Sequence, residues 1–112
     1  MGLIRMGVPR ELITGLQNTL GIKHFIEAGT YYGGTAVWAS SVFEQVTTIE
    51  ASSEIYAQTS SRYRELTNVQ FLQGDSRAVL KTLVPTLTQP AIFWLDSHWS
   101  GENTYGAQDE CP

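Results

Sequence analysis

The sequence has a single cysteine, Cys111, in 112 residues. One thiol excludes an intrachain disulfide framework and any multi-cysteine zinc site, and it fits a reducing compartment. Charge is also scarce: Asp, Glu, Lys and Arg make up 16% of the chain, where an average domain has about a quarter. That deficit points to extra buried or partner-covered surface. The charge present leans acidic, with 11 Asp and Glu against 7 Lys and Arg and a net charge of −4. A basic stripe is the usual footprint of a nucleic-acid binder, so no nucleic-acid partner is expected. No apolar run approaches the ~18 residues of a membrane span, so no membrane partner is expected either. The opening apolar run is broken at Arg5 and is too short for a signal peptide. Gly2 is followed by Met6 where an N-myristoylation motif has Ser or Thr. Repeats, low-complexity tracts and linkers are lacking. A cytoplasmic location is the expectation.

What is present is enough for one folded domain over residues 1–112. Apolar residues reach 42% and aromatics 11%, and a chain of this size buries roughly two-thirds of its unfolded surface. Pro9 suits the first turn of a helix running from about residue 9 to 20, with Leu12, Ile13, Leu16 and Leu20 on an apolar face and Gly21 ending it. His24–Ala28 reads as a short buried strand, Thr35–Phe43 as a helix and Val46–Ile49 as a second strand. A helix follows from Ser52 or Ser53 to about Leu66, then a strand Val69–Leu72, a helix from Ser76 to about Leu87, and a strand Ala91–Leu95. Strands alternating with helices predict an α/β fold, a Rossmann-like three-layer sandwich with a parallel sheet. Residues 97–112 read as a polar loop. The fourth strand, Ile92-Phe93-Trp94-Leu95, is the most apolar and belongs mid-sheet, yet no later strand is available beside it. The chain is therefore expected to be the N-terminal part of a longer domain. The alternative is a short chain whose strand-four edge is covered by a second copy in a homo-oligomer.

Chemistry is expected where the strands end, because ligands of open α/β sheets bind at the carboxyl ends near the switch point. Strand one runs into Glu27-Ala28-Gly29-Thr30-Tyr31-Tyr32-Gly33-Gly34-Thr35, a turn whose glycines permit tight backbone and close ligand approach. Glu50 ends strand two, 21 residues beyond Gly29. An acid at that offset is placed to accept from the two hydroxyls of a ribose, or, with Ser52 following, to cap the next helix. Asp75 and Ser76 follow strand three and suit either an adenine edge or a plain helix N-cap. Asp96, His98 and Trp99 follow strand four. Asp96 can ligate a metal, orient a substrate or act as a base. His98 titrates near neutrality and can move a proton. Trp99 can cover a flat ligand by stacking or fill a core. His24, Trp38, Tyr56 and Tyr63 read as packing residues.

The sequence resembles the class I S-adenosylmethionine (SAM)-dependent methyltransferases. Phe25–Thr35 resembles their first motif, Val46–Glu50 the acidic second, Phe71–Ser76 the adenine-side motif and Phe93–Asp96 the fourth. The likeness spans about Gly21 to Gly101, with the motifs in order. Glu-x-Gly-Thr-x-x-Gly-x-Thr leans toward the small-molecule O-methyltransferases, of catechol and macrocin type. The resemblance implies that Glu27, Gly29, Tyr31, Gly33 and Thr35 surround the methionine part of SAM, with Thr35 meeting its carboxylate. It implies that Glu50 holds the ribose, that Asp75 and Ser76 flank adenine, and that Asp96 corresponds to the magnesium-binding acid of the metal-dependent members. Catechol-type enzymes carry a Lys three positions beyond that acid, where this chain has Trp99; His98 is the candidate substitute base. The family sheet has strand order 3-2-1-4-5-7-6, of which this chain supplies 3-2-1-4. The implied activity is methyl transfer to a hydroxyl of a small-molecule acceptor. Two alternatives stay open: a non-catalytic module that binds a nucleoside cofactor, and a nicotinamide dehydrogenase, whose Gly-x-Gly-x-x-Gly fingerprint is broken at Gly29-Thr30-Tyr31.

Overall fold

The computed structural model describes residues 8–95. Helices and strands alternate as α1 (Arg10–Leu20), β1 (His24–Ala28), α2 (Gly34–Ser40), β2 (Gln45–Glu50), α3 (Ser53–Arg62), β3 (Val69–Gln73), α4 (Ser76–Leu83) and β4 (Ala91–Leu95), with a 3-10 turn at Val84–Thr86. The strands form one parallel sheet in the order β3-β2-β1-β4. The fold is thus the Rossmann-like α/β arrangement that the alternation predicts, with the strands where the β-branched and aromatic runs place them.

Three helices end earlier than their apolar spacing suggests. In α2 the hydroxyls of Ser40 and Ser41 donate back to the carbonyls of Val37 and Trp38, competing with the next turn of helix. α3 gives way at Tyr63 to a tighter turn, in which the Leu66 amide donates to the Tyr63 carbonyl. α4 tightens into the 3-10 turn because Pro85 has no N–H to continue the ladder.

Register explains the core. Phe25 lies beside Val46 and Ile92, and Val46 beside Val69, so these side chains share one face of the sheet. With Val8, Ile13, Ala36, Ala39 and Phe43 they form the main apolar cluster. Trp38 meets Phe25 edge-on at 6.2 Å between centroids, and the Arg10 guanidinium lies 5.4 Å from the Trp38 ring centre. Trp38 therefore packs, as expected.

One expectation fails. Of the predicted apolar face of α1 only Ile13 is buried, while Leu12 and Leu20 are 60% and 62% exposed and Leu16 is 39% exposed. Round the helix, Leu12 lies about 100° from Ile13 and Leu16 about 60°, while Leu20 lies within about 20° of it but is the last residue of α1. The helix docks through Ile13 alone among these four residues. β4 pairs with β1 on one side, and no described strand pairs with its other side. Among the described residues no helix is long and apolar enough to cross a membrane.

His24 opens β1 at the end of the sheet opposite the glycine turn, with Nε2 2.9 Å from the Thr47 hydroxyl. Burial pushes its imidazole below the usual histidine value, because desolvation disfavours the charged form. The unfolded chain then binds more protons than the folded one between the depressed value and about 6.5, so stability falls as pH drops through that window. Urea midpoints measured from pH 7.5 down to 5 are expected to decline with a component that His24→Gln removes. An identical slope in the variant would assign the decline to other groups.

Candidate functional site

The sheet reverses direction at β1: the chain steps from β1 to β2 on one side, and β4 joins on the other. Such a switch point opens a crevice at the carboxyl ends of the two central strands. The turn Gly29–Gly33 occupies that end. Two backbone-to-backbone hydrogen bonds hold it, from the Gly29 amide to the Ile49 carbonyl at 2.7 Å and from the Gly33 amide to the Thr30 carbonyl at 2.9 Å. The turn needs three left-handed residues, Gly29 at φ 104°, Tyr31 at φ 51° and Gly33 at φ 90°. For a tyrosine this conformation costs on the order of 1 kcal/mol or more.

Glu50 holds that strained residue. Its Oε1 accepts from the Tyr31 amide at 2.9 Å and its Oε2 from the Ser52 amide at 3.0 Å. Glu50 is only 6% exposed, and its carbonyl also accepts from the Gly74 amide, tying β3 to the same point. Ser52 caps α3, its hydroxyl accepting from the Ile55 amide. The two readings of Glu50 are therefore compatible: it organises the local backbone, and a carboxylate has about four acceptor positions, of which these two amides take one on each oxygen. That donor-seeking chemistry matches a vicinal diol.

Glu27 lies on the same sheet face as Phe25, one step nearer the turn, and is buried. The Thr48 hydroxyl donates to its Oε1 at 2.7 Å. Thr48 lies 2.7 Å from the Thr30 hydroxyl. A hydroxyl has one proton, and Thr48 gives its own to Glu27, so Thr30 is the donor to Thr48. All three residues are at least 97% buried. Thr30 and Thr48 escaped the sequence reading. The signal was present: Thr47-Thr48 in a strand of the sheet interior places a hydroxyl on each face, and a buried hydroxyl requires a partner.

Tyr63 also escaped. A Cβ on Gly33 would lie 2.7 Å from Tyr63 Cε2, so the ring rests against the glycine itself. Tyr63, which the sequence places within a helix as a packing residue, is instead the C-cap of α3, and it packs against the turn. The Arg62 guanidinium lies 5.4 Å from the centre of the Tyr63 ring.

The remaining candidates are placed as follows. Gly34 begins α2 and Thr35 is its second residue, partly buried. A Cβ on Gly34 would meet nothing within 4 Å, so the backbone there is approachable. At seven residues α2 has only a small dipole to offer. Asp75 is the N-cap of α4, with Oδ2 accepting from the Ala78 amide at 3.0 Å, and Ser76 is the first helical residue. Asp75 is exposed, and this cap leaves its carboxylate further acceptor capacity. Asp96, His98 and Trp99 lie outside the described residues. Among the described residues, no group of three or more His, Cys, Asp or Glu is placed to hold a metal ion.

No family model and no curated protein matches the chain. Solved structures do. An O-methyltransferase from Bacillus cereus, in complex with S-adenosylhomocysteine (SAH), superposes with a TM-score of 0.65 at 18% identity, over 85% of this chain and 47% of that one. The O-methyltransferase TomG from Streptomyces achromogenes, involved in tomaymycin synthesis and solved with SAM, gives 0.67 at 22% identity over 83% and 45%. The 23S rRNA methyltransferase ErmE gives 0.55 at 16% identity over 86% and 38%. The chain spans less than half the length of each. These likenesses establish that it has the sheet order and fold of SAM-dependent methyltransferases.

Proposed function

We propose that this chain carries the cofactor-binding half of a SAM-dependent methyltransferase acting on a hydroxyl of a small molecule. The observation that carries the reading is the buried Glu50 carboxylate, fixed by two backbone amides beside the glycine turn at the switch point. When bound, SAM supplies a methyl group on a sulfonium for transfer to a nucleophile. Glu50 would accept the ribose hydroxyls through the acceptor positions that Tyr31 and Ser52 leave. Gly29, Tyr31, Gly33 and Thr35 would border the methionine part, with Glu27 beneath them, and Asp75 and Ser76 would flank adenine. Asp96 and His98, the residues proposed to handle the acceptor's proton, and Trp99, proposed to cover the cofactor, follow β4 in sequence. Transfer of this kind depends mostly on holding donor and acceptor in line, which a rigid turn provides.

The neighbours act on different acceptors, a ribosomal RNA among them by name. The net charge of −4 favours a small molecule for this chain, because RNA recognition rests on neutralising phosphates with Lys and Arg. The test is a calorimetric titration of the 112-residue chain with SAH. Saturable one-site binding is expected. A folded chain that takes up no SAH would overturn the reading. Binding of SAH with no methyl transfer by a full-length protein to any hydroxyl acceptor would favour a non-catalytic cofactor-binding module.

A further inference from the structure

We infer that the buried chain Thr30–Thr48–Glu27 is a positioning device that sets the glycine turn, and that Thr48 is its pivot. Burial alone would favour valine at position 48, since the side chain is wholly enclosed within the sheet. Threonine there brings a hydroxyl that must be satisfied on both its donor and acceptor sides. Both are satisfied, by Glu27 below and Thr30 above, at 2.7 Å each.

Thr30 is the residue through which this order reaches the turn. Its side chain is tied to β2 through Thr48, and its carbonyl accepts from the Gly33 amide, closing the turn. Its neighbour Gly29 is tied to β2 by a backbone bond to Ile49, and its other neighbour, Tyr31, by the bond to Glu50. Three consecutive residues are thus anchored to one strand, Gly29 and Tyr31 through their amides and Thr30 through its side chain. Removing the middle anchor leaves a turn with left-handed residues at 29, 31 and 33 free to relax toward cheaper backbone conformations. Glu27 serves as the base of the chain, accepting the last proton in a setting where an unsatisfied hydroxyl would be costly.

Two readouts test this, one of which needs no ligand. Thr48→Val keeps the volume and removes the hydroxyl; Thr48→Ser keeps the hydroxyl and loses a methyl. In the ligand-free chain, hydrogen exchange at the Gly33 amide is expected to accelerate at least tenfold in Thr48→Val and to return toward the parent rate in Thr48→Ser. The Val46 amide, which lies in β2 with Thr48 and donates to the Asn68 carbonyl just before β3, is expected to change less than twofold. Equal acceleration at Gly33 and Val46, or none at Gly33, would overturn the inference, since a merely structural role loosens the whole sheet. Thr30→Val removes only the upper donor and leaves the bond from Thr48 to Glu27 in place. It is expected to reproduce the Gly33 effect, and it decides the matter if Thr48→Val does not fold.

The second readout rests on the cofactor reading above. SAH affinity is expected to fall about tenfold in Thr48→Val, or ~1.4 kcal/mol, and to be restored in Thr48→Ser. A parent chain that binds SAH beside a Thr48→Val variant that binds it equally well would overturn the positioning role and leave the cofactor reading standing. A folded parent chain that does not bind SAH would overturn the cofactor reading, and the exchange rates alone would then decide the positioning role.

Discussion

Replacing Glu50 with Ala is expected to lower SAH affinity by a hundredfold or more in a calorimetric titration. Hydrogen bonds to a charged group are each worth about 1.5–3 kcal/mol, and the variant would lose the acceptors of both ribose hydroxyls. Two such losses come to at least ~3 kcal/mol, and each ~1.4 kcal/mol is tenfold in affinity. A second effect adds to the first: Tyr31 at φ 51° loses the acceptor of its amide. Glu50→Gln is expected to resemble Ala more than the parent. An amide has one oxygen and one NH2, whereas the Tyr31 and Ser52 amides approach different oxygens of the carboxylate. Whichever way the amide turns, a donor meets a donor. Glu54, exposed in the first turn of α3, supplies the control: Glu54→Ala is expected to change affinity less than twofold. A parent-like affinity in Glu50→Ala would remove the ribose assignment.

The second large effect is on stability. Gly33→Ala is expected to cost about 2–4 kcal/mol, as the sum of a left-handed backbone penalty and overpacking against the Tyr63 ring. The added methyl has no room, since its position lies 2.7 Å from Tyr63 Cε2. Gly15 is the informative contrast. It lies inside α1, where a Cβ meets nothing within 4 Å, so Gly15→Ala is expected to stabilise the chain by about 0.5–1 kcal/mol. Urea unfolding of the two variants should therefore move the midpoint in opposite directions. A double-mutant cycle of Gly33→Ala with Tyr63→Ala separates the two costs of the first. Removing the ring relieves the overpacking and leaves the backbone penalty, so the double variant is expected to be less destabilised than the sum of the singles by at least ~1 kcal/mol. Additive effects would show that the ring does not press on the turn.

These expectations differ in where they could be read. Glu50 was legible in the sequence, because its offset from Gly29 and its position at the end of a β-branched run are local facts. Asp75 was equally legible as a cap, since Asp-Ser before a helical pattern is a local signal, and the cap is present. The spacing in α1 predicts the helix that is present, but of the four apolar residues it assigns to the core only Ile13 is buried, and the three leucines lie outside it. Periodicity shows that a stripe exists; which side of the helix meets the sheet depends on how Ile13 fits against Phe25 and its neighbours.

Thr30, Thr48 and Tyr63 were not legible as site residues, for one physical reason. Each acts through a contact made at long sequence separation: 18 residues from Thr30 to Thr48, 21 from Thr48 to Glu27 and 30 from Gly33 to Tyr63. What the sequence determined by itself was the alternation of strands and helices, the glycine turn after β1 and the acid after β2. All of these follow from backbone preferences and hydrophobic period within a few residues. Only the tertiary structure decided that Tyr31 is held left-handed by Glu50, that Gly33 is required by the Tyr63 ring just past α3 as well as by its own φ, and that a buried acid anchors the turn through two hydroxyls. Those outcomes depend on parallel register, which brings Glu27 beside Thr48, and pairing between distant strands is set by the packing of the whole sheet.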